Sequence, residues 1–402
     1  MYFRLSLFVL LCSGLGFAAS LIGTDVLGLE QSPSNAAIAR NGIARQNPAV
    51  NAFENKTKFG TTILFEYANA NKDDESVGLN SFGVPSIYMV LPLGFLGAFS
   101  VDLEQAYFAS NRLELIDQAL DADVLYISRT GIYELAPSYS LRLPFFLSDF
   151  ALGASYRVFF GNSYSSIQRG KSNNWGEDDW RARDAQGRNV QITNIEKGHF
   201  ESADSWQRHF GGSLHYHKKN IDYFVSYFPS VEMRKSITSM VQFSNTDTLQ
   251  ASTEKKTFKL PKQFASGAHF VFAKEHNLSL VYEQKNWEEN SVAGIAETET
   301  QKTSSYFAEY KKSGTGLHYS SFFKKNDFGI NAWYADKYIK DASEFGASVF
   351  SDLWLGRRGT LVGIALFGGY RQADDPYWNE PFFGFKLNLT GVGNWGTSAR
   401  RR

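Results

Sequence analysis

Apolar residues recur at every second position of this sequence, in segments of about 10–14 residues where globular strands average roughly 5–6. In "FFGFKLNLT" one face carries Phe383, Phe385, Leu387 and Leu389, and the other Gly384, Lys386, Asn388 and Thr390. "DFALGASYRVFF" sets Phe150, Leu152, Ala154, Tyr156, Val158 and Phe160 against Ala151, Gly153, Ser155, Arg157 and Phe159. "SYSLRL" and "TLVGIALFGGY" repeat the design, with one apolar face and one small or polar face that is sometimes charged. Such strands match the roughly 9–11 residues that cross a bilayer at a tilt. In hydrocarbon every backbone N–H and C=O must be paired within the protein, so strands can cross only as a closed barrel.

The remaining composition agrees. The chain has 402 residues with 41 Lys+Arg against 41 Asp+Glu, so no basic field points to nucleic acid. Aromatics make 15% of it, 34 Phe, 20 Tyr and 8 Trp. Tyr67, Tyr107, Phe108, Trp287, Trp378 and Phe382 fall near segment ends, where membrane barrels carry aromatic girdles. No apolar run after the N-terminus reaches the ~18–20 residues of a spanning helix.

Residues 1–20 read as a signal peptide: Arg4, the apolar run Leu5–Leu11, then "GFAAS", with cleavage after Ala18 or after Ser20. The only cysteine, Cys12, lies inside it, and Leu11 before it does not fit a lipid-attachment site. The mature chain is therefore expected to hold neither disulfide nor thiol nucleophile. Residues 21–57 precede the first strand; Ser32 or Ser34 would cap a short Ala-rich helix ended by Pro48. Residues 58–390 are the barrel and 391–402 a tail.

Short connections ("PLG", "PFF", "KKN", "KEHN", "SGTG", "GRRG") alternate with long ones near 109–125, 164–205, 236–255, 289–301 and 372–379. This is the layout of an outer membrane barrel with its long loops outside the cell. Reading "KKND" (324–327) as a turn gives about 15 strands, and an even count is required, so about 14, or else 16. Leu113, Ile116 and Leu120 keep helical spacing and predict a small amphipathic helix in the first long loop.

The hairpin "LPKQFASGAHFVFAKEHNLSLVYEQKNW", with Leu260, Pro261, Gly267 and Trp287, and "AAIARNGIARQNPAVNAF", with Asn47, Pro48 and Ala49, resemble the FadL-type outer membrane transporters of long-chain fatty acids and other hydrophobic compounds. "FAEYKKSGTGLHYSSFF" and "FGASVFSDLWLGRRGTLVGIALFGGYR" are similar to that family's C-terminal hairpins. The resemblance implies a barrel of 14 strands plugged by residues 21–57, with Asn47, Pro48 and Ala49 as the moving hatch. Ligand would be caught by the outer loops and released through a lateral opening or the periplasmic end, without energy input or cofactor. The chain departs from the family in lacking a glycine-rich run before Asn-Pro-Ala and in running past Leu389 to "GVGNWGTSARRR". Three alternatives stay open: the first two are a PorV-like barrel that serves protein secretion with a protein partner, and a general porin. A soluble secreted β protein is the third.

Other constellations are weaker. Trp175, Trp180 and Trp206 would either form a ligand-capture groove in the longest loop or anchor it to the membrane surface. Glu177, Asp178, Asp179 and Asp184 in that loop lack EF-hand spacing. His215 and His217 share the lumen face of a strand, yet two imidazoles fall short of the three or four ligands of a metal site. The Lys-Lys pairs at 218, 255, 311 and 324 suit outer membrane lipid headgroups or solvent. No "GxSxG" elbow or Ser-His-acid arrangement supports an enzyme.

Overall fold

The computed structural model describes residues 47–72, 75–117, 122–144, 147–170, 182–183, 189–190, 192–202, 209–243, 246–273, 275–286, 302–313, 323–337, 341–355, 359–373 and 378–393. They form a closed antiparallel β-barrel of 14 strands. In chain order the strands are β1 (Thr57–Lys72), β2 (Glu75–Pro92), β3 (Ala98–Asp117), β4 (Ala122–Arg142), β5 (Phe150–Tyr156, resuming as Val158–Gly170) and β6 (Ile192–Ser202, resuming as Phe210–Lys218). There follow β7 (Ile221–Phe228, resuming as Val231–Phe243), β8 (Thr246–Leu260, resuming as Lys262–Phe272), β9 (His276–Asn286) and β10 (Lys302–Lys312). The last four are β11 (Phe323–Asp336), β12 (Ala342–Leu355), β13 (Thr360–Ala373) and β14 (Trp378–Gly393). Each pairs with its sequence neighbour, and β1 closes on β14 from Thr57↔Gly393 to Asn71↔Asn379. A two-residue ladder, Ala182–Arg183 with Asn189–Val190, stands apart in the loop after β5.

The end where β1 starts and β14 finishes is the base; the other is the rim. The fully described short connections, "PLG" after β2 and "KKN" between β6 and β7, lie at the base, as the alternation requires. At the tighter of the two Lys219 adopts φ 46°, which folds β7 straight back onto β6.

Burial follows the predicted alternation but with the polarity of a soluble core reversed. In the first half of β7, Ile221, Tyr223, Val225 and Tyr227 are exposed while Asp222, Phe224, Ser226 and Phe228 are buried. Around the wall Leu152, Leu214, Leu280, Ile330, Val349, Leu366 and Phe383 face outward. Glu66, Glu134, Arg157, Glu309, Glu344 and Arg371 face the lumen and are buried. An apolar exterior around a charged interior is stable only where hydrocarbon is the outer solvent.

Four expectations are corrected. "KKND" is no turn: β11 runs through it, absorbing the polar residues at a register shift between Phe323 and Asn326, which removes the odd strand from the count. Leu113 and Ile116 belong to β3, which stays paired with β4 to Asp117↔Ala122, so the predicted loop helix is strand there; Leu120 lies outside the described residues. The long connection at 236–255 is mostly ladder, Val231 to Phe243 against Leu260 to Thr246. Phe382 points inward rather than into a girdle, its ring 4.1 Å from the Arg371 guanidinium carbon.

The wall is irregular in two places: the β2–β3 ladder stops at Ser86↔Glu104 although both strands run on, and a band of breaks crosses β5–β8. Arg157 interrupts β5, β6 stops at Ser202 and resumes at Phe210, Pro229 and Ser230 interrupt β7, and Pro261 interrupts β8. The flanking registers (Tyr156↔Phe210, Phe228↔Gln263, Val231↔Leu260) put the breaks side by side. Proline has no N–H to give a ladder, so two of the breaks follow directly from sequence.

Candidate functional site

Pro48 does not end a helix here; it begins one. Residues Pro48–Phe53 form a single short 3-10 helix inside the base of the barrel, with Pro in the first turn, where a missing N–H costs nothing. Asn47, Pro48, Ala49, Val50 and Asn51 are all buried. The segment is held by side chains of the inner wall. The Asn47 Nδ2 amide lies 2.8 Å from His215 Nδ1 on β6. The Ala49 N–H donates to Ser213 Oγ, also on β6, at 2.8 Å. Asn51 Nδ2 donates to Ser100 Oγ on β3 at 3.1 Å. Glu54 closes the turn by accepting a hydrogen bond from Lys58 Nζ at 2.5 Å.

Beneath the segment is a histidine–carboxylate cluster. His217 and Asp222 are direct cross-strand partners of β6 and β7. Asp222 Oδ1 lies 2.5 Å from His217 Nδ1 and 3.1 Å from His215 Nε2, so one carboxylate oxygen serves both rings. The three ligand atoms lie within 4.8 Å of one another, close enough to share one ion. Phe53 covers both rings, at centroid distances of 5.4 Å to His215 and 5.0 Å to His217, and Arg142 sits 5.3 Å from the centre of the Phe53 ring. His269, the cross-strand partner of Asp222 on β8, extends the row, with Nδ1 2.8 Å from Ser279 Oγ.

Two further layers line the lumen. Beside the irregular band, Ile132, Phe159, Phe200, Val231, Met233 and Leu260 form an apolar inner cluster. Arg157 stands next to it in a bidentate pair with Glu134 at 2.5 and 2.7 Å, between the rings of Phe159 and Phe228. Towards the rim Arg371 bridges β1, β12 and β14: it reaches Glu66 at 2.8 and 3.0 Å, Glu344 at 2.8 Å and Glu380 at 2.7 Å. Glu344 also accepts from Lys337 at 2.5 Å and from the Trp333 indole at 2.8 Å.

The sequence-predicted residues thus divide. Asn47, Pro48 and Ala49 come together with His215 and, through Phe53, His217, a meeting no pattern announced. Trp175, Trp180, Trp206 and Trp287 lie outside the described residues, as do the signal peptide and residues 21–46. Asp222, Ser213 and Gly153 were not anticipated. The turn at Lys219 was the available signal, since a tight hairpin there pairs His217 with Asp222.

No family model matches the sequence, and no curated protein does. Solved structures do match in fold. A FadL homologue of Pseudomonas aeruginosa aligns with 94% of this chain and 100% of its own at a TM-score of 0.61 and 10% identity. The toluene transporter TodX of P. putida aligns over 87% of this chain and 92% of its own, TM-score 0.54, 10% identity. TbuX, a toluene transporter of Ralstonia pickettii, covers 95% of this chain and 97% of its own, TM-score 0.50, 12% identity. The chain therefore has the FadL-type barrel fold, reached from a divergent sequence.

Proposed function

We propose that this chain is an outer membrane channel for the energy-independent uptake of hydrophobic small molecules. Its base would face the periplasm, and residues 21–57 would act as the hatch. The observation that carries the reading is the seating of Asn47–Phe53 inside the base of an inside-out barrel, where three side-chain hydrogen bonds tie it to the wall among the described residues. At about 0.5–1.5 kcal/mol net apiece, such bonds are strong enough to hold the segment and weak enough for ligand binding to release it. Residues 1–20 would direct export and be removed.

The apolar cluster around Phe159, Phe200 and Met233 is buried on the inner side of the wall and would have to part to admit a hydrophobic molecule. It adjoins the irregular band of β5–β8, where the lateral exit implied by the FadL-type resemblance would open. Long-chain fatty acids are the substrate class of that resemblance, and the fold neighbours named for toluene extend the class to compact hydrocarbons. Capture would fall to the loop bearing Trp175, Trp180 and Trp206.

The test is uptake of a labelled long-chain fatty acid and of labelled toluene by cells lacking their own transporter. The intact chain is compared with a deletion of Asn47–Ala49 at matched surface levels. Uptake by the intact chain that disappears with the deletion supports channel and hatch together; undiminished uptake by the deletion removes the hatch. A folded intact chain that carries neither compound overturns the transport reading and turns the search to a protein partner.

A further inference from the structure

We infer that His215, His217 and Asp222 form a binding site for a divalent transition-metal ion of the Zn²⁺ type, and that Asn47 of the buried segment orients it. Three donors of the types such ions prefer converge on one point: His215 Nε2, His217 Nδ1 and Asp222 Oδ1. Two are fixed by burial, His215 and Asp222 being almost fully enclosed, while the His217 side chain is 33% exposed and leaves a route of entry. The spacing suits an ion. At metal–ligand lengths of about 2.0–2.2 Å, tetrahedral ligands stand roughly 3.3 Å apart. The His215–Asp222 separation is 3.1 Å; a swing of the accessible His217 ring would widen its 2.5 Å to Asp222 and bring its nitrogen, within 4.8 Å of His215 Nε2, to ligand spacing. Water would take the fourth position.

The second observation concerns Asn47. Its Oδ1 is buried and has no hydrogen-bond partner among the described residues, while its Nδ2 donates to His215 Nδ1. With His215 Nε2 given to a metal, the ring proton moves to Nδ1, which then needs an acceptor. Rotation of the Asn47 amide brings Oδ1 to that place. A metal-bound imidazole donating its other N–H to a carbonyl is the usual means of fixing such a ligand, and the bond strengthens with the charge on the metal. Metal binding and the seating of the segment are thereby coupled through one side chain. This coupling rests on the hatch reading; the metal site itself does not.

The test uses the full chain in detergent micelles, stripped with a chelator and titrated with Co²⁺, whose visible d–d absorption reports coordination. The expected result is one Co²⁺ per chain, displaced by Zn²⁺. His217→Ala should lose the band while the barrel keeps its heat-modifiable mobility on a gel. His217→Cys should bind again and add a sulfur-to-cobalt charge-transfer band, since the shorter side chain is offset by a metal–sulfur bond of about 2.3 Å. Asn47→Leu should weaken binding roughly 10–100-fold, and Asn47→Asp restore it. Absence of a saturable Co²⁺ band in the intact chain, or the same affinity in His217→Ala, overturns the site. Full affinity in Asn47→Leu overturns the coupling alone. Neither result depends on uptake, so failure of the transport reading would be told apart from failure of this one.

Discussion

Gly153 on the inner face of β5 leaves Ala49 the space it occupies: a Cβ on Gly153 would lie 2.3 Å from the Ala49 backbone nitrogen and 2.8 Å from the Pro48 carbonyl carbon. Both contacts are backbone, so nothing flexible can give way. Gly153→Val should therefore push the segment off the wall and break the bond from Ala49 N–H to Ser213. Overpacking of this kind costs about 1–3 kcal/mol, which shifts the seated–released equilibrium by roughly 5–150-fold. The barrel should remain heat-modifiable, while trypsin cuts faster at Lys56 and single-channel conductance rises in planar bilayers. Unchanged proteolysis and conductance would mean that the segment does not close the base.

Arg371 is 0% exposed and touches carboxylates from three strands. Glu344 and Glu380 are its direct cross-strand partners on β12 and β14, and Glu66 reaches it from β1. Removing the cation would strand buried negative charge, at a cost of about 3–5 kcal/mol. Arg371→Met should lower the urea midpoint of barrel unfolding accordingly, and Arg371→Lys should fall between because it loses the fork that meets both oxygens of Glu66. Adding Glu66→Gln to Arg371→Met should recover part of the loss. Equal midpoints for Met and wild type would show that the lumen is wet enough at this level to hydrate the carboxylates.

Leu366 is 60% exposed halfway along β13, where the outward face should meet the middle of the bilayer. Leu366→Arg should destabilise the barrel in liposomes by about 2–4 kcal/mol, with Leu366→Phe nearly neutral. The same pair tested in a detergent that hydrates the belt should differ less. An Arg variant as stable as the parent in lipid would place that face away from hydrocarbon.

The sequence made the barrel legible because alternation marks a strand wherever its two faces meet different surroundings. β5, β13 and β14 show it most clearly, and their inward and outward residues fell as read. Towards the rim the signal fades. Along 236–243 and 246–255 the sequence holds no clean alternation, so the outer part of this ladder reads as a loop. β11 failed for a related reason: Lys324 to Asp327 look like a turn, yet Asp327 is inward and lies 3.8 Å from Lys311 Nζ. Asn47–Ala49 was visible only through a family resemblance. That His215 would receive Asn47 depends on how far the barrel curves, which a local pattern does not encode.

The band of breaks across β5–β8 gives the last prediction. Pro229 and Pro261 leave the gap between β7 and β8 short of donors, with Phe228↔Gln263 on one side and Val231↔Leu260 on the other. Pro261→Val returns an N–H to this gap, and one recovered hydrogen bond is worth about 0.5–1.5 kcal/mol. Amide exchange at residues 228–231 and 260–263 should slow by roughly 2–12-fold, since each 1.4 kcal/mol is a factor of ten. If ligand leaves through this band, uptake should fall while conductance through the base stays the same. Slower exchange with undiminished uptake would assign release to the base instead, where the Asn47–Phe53 segment sits. Exchange that does not change would mean that Arg157, pinned between Glu134 and the rings of Phe159 and Phe228, sets the break rather than the prolines.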